Sequence, residues 1–154
     1  MTRPARTELS PARFVTGTWQ RRDRHRLITT AGVLAVVAAA AMAVLGLPPI
    51  DLHPPQHRFG IMDPLCGGTR AARLVMLGQW GRAWEYNPLG VLTVLAAAAA
   101  VLRALAGAAL GRWLTITVSW TRTRRRMGWT IAVLLTLLLA IRQQLHVDLL
   151  TSLG

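Results

Sequence analysis

Apolar positions in this chain gather into three long runs, separated by polar stretches that carry arginine. The first run, residues 27–47 (LITTAGVLAVVAAAAMAVLGL), contains no charged side chain. At about 1.5 Å per helical residue it covers roughly 31 Å, the thickness of a hydrocarbon core and more than a soluble core helix needs. A second run, residues 88–110, opens on Asn87-Pro88. Asn87 is suited to capping free amides and Pro88 to the first helical position. A third run occupies residues 127–144; it is short, and its polar end at Arg142, Gln143 and Gln144 can be extended by snorkelling. The pattern predicts an all-α integral membrane protein with three transmembrane helices. Residues 1–20 show neither helical nor alternating periodicity, so residues 1–26 are expected to form an arginine-rich cytoplasmic tail, and residues 27–154 a single membrane domain.

Between the first two spans the pattern changes. LPPIDLHPPQH places Pro48, Pro49, Pro54 and Pro55 close together, which removes amide donors and disfavours helix at the preceding residues. An extended loop is expected there. Residues 61–86 then read as a short interfacial or re-entrant helical hairpin. Asp63-Pro64 resembles a helix cap followed by a first-turn proline, and Gly67-Gly68 permits a sharp turn. From Thr69 the spacing is helical, with Ala72, Met76, Trp80 and Ala83 sharing a face with Thr69 and Arg73. Gly78 divides this stretch into helices at 69–77 and 79–86, and Trp80, Trp84 and Tyr86 suit the headgroup region.

Composition supports a membrane protein: 53% of the 154 residues are hydrophobic, enough for one small helical unit. The formal charge of +12 does not point to nucleic acid, because all 18 basic residues are arginine and they collect at the ends of apolar runs. A signal peptide would have a shorter apolar core and a small-residue cleavage site, whereas this run ends in Leu47-Pro48-Pro49; retention is expected. Seven arginines precede the first span, five lie between residues 111 and 126, and only Arg142 stands at the far end of the third, after its apolar stretch closes at Ile141. The positive-inside rule therefore predicts a cytoplasmic amino terminus, an extracytoplasmic hairpin and an extracytoplasmic carboxyl end, in the cytoplasmic membrane of a bacterium. Arg103 falls about one and a half to two turns from the cytoplasmic end of the second span. No acidic residue lies in any span to pair with it, so it is expected to snorkel.

Candidate chemistry concentrates at residues 63–73. Asp63, Pro64, Cys66, Gly67, Gly68, Thr69, Arg70 and Arg73, with Asn87 and Pro88 beside them, form a structural turn or an anion site. Free amides near Gly67 and two guanidiniums could hold a lipid phosphate. The competing role for Arg70 is to bond loop carbonyls, and for Arg73 to snorkel. His53, His57, Asp63 and Cys66 supply ligand types suited to a transition metal, but their spacing fits no strong motif, so no metal or cofactor is expected. Cys66 is the only cysteine, which rules out an intramolecular disulfide, and neither a base nor an orienting carboxylate stands at motif spacing to activate it.

The run Asp63-Pro64-Leu65-Cys66-Gly67-Gly68-Thr69-Arg70, followed by Gly78-Gln79 and Asn87-Pro88-Leu89-Gly90, resembles a family of small bacterial membrane proteins of unknown function. The signature of that family is Cys-Pro-x-Cys-Gly-x-Thr-Arg, then Gly-Asp, then Asn-Pro-Leu before an apolar span. The resemblance covers residues 59–101. Asp63 stands where the family has its first cysteine, and Gln79 where it has aspartate, so a function needing a cysteine pair is not carried over. What the resemblance implies is a polytopic membrane protein with this turn as its common element, and no reaction.

Catalytic motifs are missing: there is no phosphate-binding loop, no His-Glu metalloprotease motif, no serine elbow and no carboxylate pair within a span. Small residues, including Gly32, residues 38–41, residues 96–100 and Gly107 with Gly111, would let helix backbones approach closely. The expected function is therefore that of a non-catalytic accessory or assembly subunit of a larger membrane complex. Its expected partners are membrane lipids and either other subunits or further copies of itself. The alternative is a small-ligand site, for a metal ion or an anionic lipid head group, at the turn, with a transport or lipid-related role.

Overall fold

A computed structural model of the chain describes residues 15–47 and 62–147. The first fourteen residues of the expected tail and the proline-rich loop, with His53 and His57, lie outside the described residues. Elements follow in the order β1 (Val15–Gln20), α1 (Arg26–Leu45), α2 (Gly68–Met76), α3 (Trp80–Tyr86), α4 (Pro88–Leu110), β2 (Trp113–Val118) and α5 (Arg122–Leu145). Three of these helices, α1, α4 and α5, are long and apolar enough to cross a membrane.

The fold is mostly helical rather than all-α. β1 pairs antiparallel with β2, from Val15 opposite Val118 to Gln20 opposite Trp113. Both segments, VTGTWQ and WLTITV, are rich in the β-branched and aromatic residues that fit a pleated surface. Across the ladder the hydroxyls of Thr16 and Thr117 hydrogen-bond at 2.6 Å. Because β1 precedes α1 and β2 follows α4, the sheet ties the start of one apolar helix to the end of the other.

Between those ends, α1 and α4 pack through small residues. A Cβ on Gly32 would lie 2.8 Å from Ala100 Cβ and 3.2 Å from the Ala97 carbonyl oxygen, so the helices meet at a separation that only glycine accommodates. Lipid tails are as apolar as leucine, and close backbone approach is what holds such helices together. Gly107 and Gly111 are placed differently from the helix-packing face expected of them. The indole of Trp113 sits on Gly107, where a Cβ would lie 2.6 Å from the ring, and Gly111 (φ +60°) ends α4 in the left-handed region.

Arg103 does not snorkel alone. Its Nη2 donates to Asp23 Oδ1 at 2.7 Å, Nη1 to Thr29 Oγ1 at 3.0 Å and Nε to the Leu114 carbonyl at 2.6 Å, with its guanidinium 5.9 Å from the centre of the Trp113 ring. Asp23 also accepts from Thr29 Oγ1 at 2.7 Å and from the His25 amide at 2.8 Å. The acidic partner comes from the segment just before α1, outside every apolar run. The Arg103 and Asp23 side chains are 17% and 8% exposed. The Arg103 hydrogen bond, aided by Thr29 and the His25 amide and opposed by burial, lowers the Asp23 carboxyl from 3.8 to about 2.

The third apolar helix begins earlier than residue 127. Thr121 caps it by accepting from the Arg124 amide at 3.3 Å, so the arginine-rich turn at 122–126 is helical too. Along its length α5 is exposed: Trp129 is 70% exposed and Leu138 62%. Its far end is latched to the hairpin. Arg142 Nη2 donates to the Trp84 and Glu85 carbonyls, both at 3.0 Å, and Gln143 Nε2 to the Tyr86 carbonyl at 3.1 Å, satisfying the last orphan acceptors of α3.

The Asp23 carboxyl is depressed in the folded state, so it stabilises the fold fully above pH 3.8, and that contribution is lost as the pH falls toward 2. Replacing Asp23 with Asn leaves the Arg103 charge without its counter-ion, and is expected to cost about 1–3 kcal/mol at neutral pH. Melting in detergent between pH 2 and 5 checks both points: the midpoint of the native chain falls toward low pH, and that of Asp23→Asn starts lower and changes less.

Candidate functional site

The turn at residues 62–68 is built from local polar bonds. Asp63 does not cap a helix. Its Oδ1 accepts from the Leu65 amide at 2.7 Å, closing a side-chain turn that Pro64 rigidifies, and the backbone then bonds Cys66 N to Asp63 O at 3.1 Å and Gly68 N to Leu65 O at 2.9 Å. Gly67, at φ +76°, occupies the left-handed region and starts α2 one residue later.

Asn87 organises everything around this turn. Its Oδ1 accepts from the Leu89 amide at 2.8 Å and the Gly90 amide at 3.3 Å, capping α4, and Pro88 fills the first helical position. Its Nδ2 donates to the Pro64 carbonyl at 3.0 Å and the Cys66 carbonyl at 2.8 Å. One fully buried amide thus joins the turn to the start of a helix long and apolar enough to cross a membrane. Gly90 completes the join, because a Cβ there would lie 2.8 Å from the Gly68 carbonyl oxygen and 2.9 Å from Ala71 Cβ.

Cys66 and Met62 are buried against each other, with Sγ 3.5 Å from Sδ, in a core that includes Ala71, Leu74, Val75 and Tyr86. Burial, with the Asp63 charge, pushes the Cys66 thiol up from its usual range, which is the opposite of what a nucleophile needs. The buried residues of α2 are Ala71, Leu74 and Val75; of the residues grouped on one face from the sequence, Ala83 is fully buried in α3 while Met76 and Trp80 are exposed. Tyr86 is likewise buried, with Arg70 stacked 5.9 Å from its ring centre; Trp80 and Trp84 remain about half exposed. Gly78, at φ +74°, reverses the chain between α2 and α3.

Arg73 reaches across to α1, where its Nε donates to the Met42 carbonyl at 2.8 Å. This links the hairpin to the first apolar helix just as Asn87 links it to the second. Among the described residues no three His, Cys, Asp or Glu side chains stand together as metal ligands; Asp63 and Cys66 are engaged as described, and His53 and His57 lie outside those residues. Sequence reasoning missed the cross-links from Arg73, Arg142 and Gln143. Their targets are backbone carbonyls, which leave no trace in residue spacing.

Two outcomes test this account. Asn87→Ala removes a cap worth about 0.5–2 kcal/mol and strands buried carbonyls at about 1–3 kcal/mol, so the hairpin is expected to loosen before the α1–α4 pair does. Maleimide labelling of Cys66 reads it: slow in the native chain in detergent micelles at pH 7, and at least about tenfold faster in Asn87→Ala, a factor that about 1.4 kcal/mol of local opening supplies.

Residues 54–101 match the model of a family described as a protein of unknown function, DUF2752. The match takes in the turn, the hairpin and the first half of α4. No curated protein and no solved structure matches the chain.

Proposed function

We propose that the protein is a non-catalytic subunit of a larger membrane assembly, carried in the cytoplasmic membrane of a bacterium with its amino terminus in the cytoplasm and the hairpin and carboxyl end outside. The observation that carries this reading is α5. An apolar helix of 24 residues is anchored to the rest of the chain by the polar residues of its last turn, and its flanks stay open along most of its length. A helix held at one end and uncovered along most of its length is suited to lie against the helices of a second protein, where van der Waals packing and small residues such as Ala132 take the place of lipid contacts.

The turn supports the same reading. Asp63, Cys66 and Asn87 spend their polar groups inside the chain. Such an arrangement suits a bracket that fixes the angle between hairpin and spans, and it lacks the free base, nucleophile and electrophile that a reaction needs. The run from Asp63 to Arg70 is, on this reading, the element held in common with the resembling family, and the hairpin it opens lies in the outer interface with Trp80 and Trp84 among the headgroups.

Extraction in a mild detergent tests the proposal. Native mass spectrometry is expected to find the chain in a complex with another membrane protein, and Leu134→Phe with Leu138→Phe on α5, which changes the shape of the open flank and leaves it apolar, is expected to release it without lowering its yield. A chain that always runs alone, before and after substitution, refutes the assignment.

A further inference from the structure

Where α2 crosses between the spans, an apolar groove of about 260 Å³ opens toward the outside of the bundle, lined by Met42 from α1, Thr69 and Ala72 from α2, and Leu89, Gly90 and Thr93 from α4. Neither an aspartate nor a glutamate lines it. Two of its walls belong to helices apolar enough to cross a membrane, so what fills it comes from lipid.

Arg73 does not line the groove but is bonded to a residue that does. The guanidinium is tethered through Nε to the carbonyl of Met42, itself a lining residue, and Thr69 lies one helical turn earlier on the same face of α2. Nε is the atom spent, which leaves the Nη edge of the guanidinium for a second acceptor. A fixed cation with its remaining N–H groups presented beside an apolar slot matches an amphiphile with an anionic head, since phosphate takes bidentate guanidinium bonds and is attracted by the charge.

We infer that this groove binds one acyl chain of an anionic glycerophospholipid from the leaflet on the hairpin side, with the phosphate met by Arg73 and the Thr69 hydroxyl. The lipid then serves as a wedge between α1 and α4 where α2 holds them apart. The site is independent of the assembly role, because it is complete within one copy of the chain; a partner-free monomer would leave it standing.

Native mass spectrometry of the full chain, delipidated in detergent and titrated with phosphatidylglycerol or with diacylglycerol of equal chain length, which lacks the phosphate, decides it. One tightly held lipid per chain is expected, with phosphatidylglycerol favoured at least about fivefold, the ratio that about 1 kcal/mol of cation–phosphate attraction supplies. Arg73→Gln keeps a donor for the Met42 carbonyl but no charge, and is expected to reduce that preference sharply while retaining the diacylglycerol level. Thr93→Phe fills the groove from an exposed position of α4 and is expected to remove both lipids, whereas Leu102→Phe, equally exposed on the same helix but away from the groove, binds like the native chain. Equal binding of the two lipids by the native chain, an undiminished preference in Arg73→Gln, or a dimer peak in place of lipid adducts overturns the proposal. Should Thr93→Phe lose its melting transition, Arg73→Gln, which adds no bulk, decides alone.

Discussion

A guanidinium inside an apolar helix has five N–H donors and a charge to satisfy, and in a low-dielectric medium neither can be left to water. Arg103 sets that condition on this chain, and the ends of α1 and α4 are arranged to meet it. Asp23 supplies the counter-charge, Thr29 a hydroxyl, Leu114 a carbonyl and Trp113 the face of an aromatic ring. Those four partners belong to two stretches, residues 23–29 and 113–114, so a single side chain fixes the segment before α1, the first turn of α1 and the start of β2 relative to α4. The two-stranded sheet follows from this: once Trp113 and Leu114 are held against Arg103, the register that places Trp19 opposite Leu114 and Gln20 opposite Trp113 brings the strands into a short ladder. A two-stranded ribbon is marginal on its own, and here it stands on a charged clamp.

The other end of the α1–α4 pair is held by a different chemistry with the same logic. Asn87 is neutral, fully buried, and satisfied on both its oxygen and its nitrogen, so it can sit in an apolar setting without a counter-ion. Arg73 and the Arg142–Gln143 latch then spend cationic and amide donors on backbone carbonyls at the ends of α1 and α3. Between the two ends Gly32 meets Ala97 and Ala100. Van der Waals contact of small residues gives a close approach but little angular definition, and the polar clamps at either end supply the angle.

How much of this was legible in the sequence depends on whether the signal is local. Apolar runs set span length, and the spans were read to within a few residues, apart from α5, whose arginine-rich first turn extends the helix back to Arg122 because helical hydrogen bonding does not require apolar side chains. The hairpin break at Gly78 was also readable, from a residue whose backbone freedom is its meaning. The sheet was not, because VTGTWQ and WLTITV are each short and pair across nearly a hundred residues of chain; neither carries a turn signal that would announce a partner. Searching the spans for a partner to Arg103 failed for a related reason: Asp23 lies outside the span in sequence and reaches its end in space. The burial of Tyr86 was not readable from its type, since the amphipathic ring that suits a headgroup belt also suits a buried site with Arg70 over its face.

The extent of the family match sharpens the division between the two ends. Residues 54–101 include the turn, the hairpin, Asn87 and four turns of α4, together with every lining residue of the groove except Met42. Arg103, Asp23, the sheet and α5 fall outside it. The matched stretch therefore corresponds to one physical unit: a helix start capped by an asparagine that also grips the preceding turn, with a short amphipathic helix laid across it at a distance set by Gly90 and Gly68. Such a unit needs an apolar helix to rest against, and α1 provides that here through the Met42 carbonyl and the close approach at Gly32. It does not need the arginine clamp. The unit can hold its shape with any first helix that offers a carbonyl to Arg73 and a small residue to the alanines of α4, which is a weak demand on sequence and a strong one on geometry.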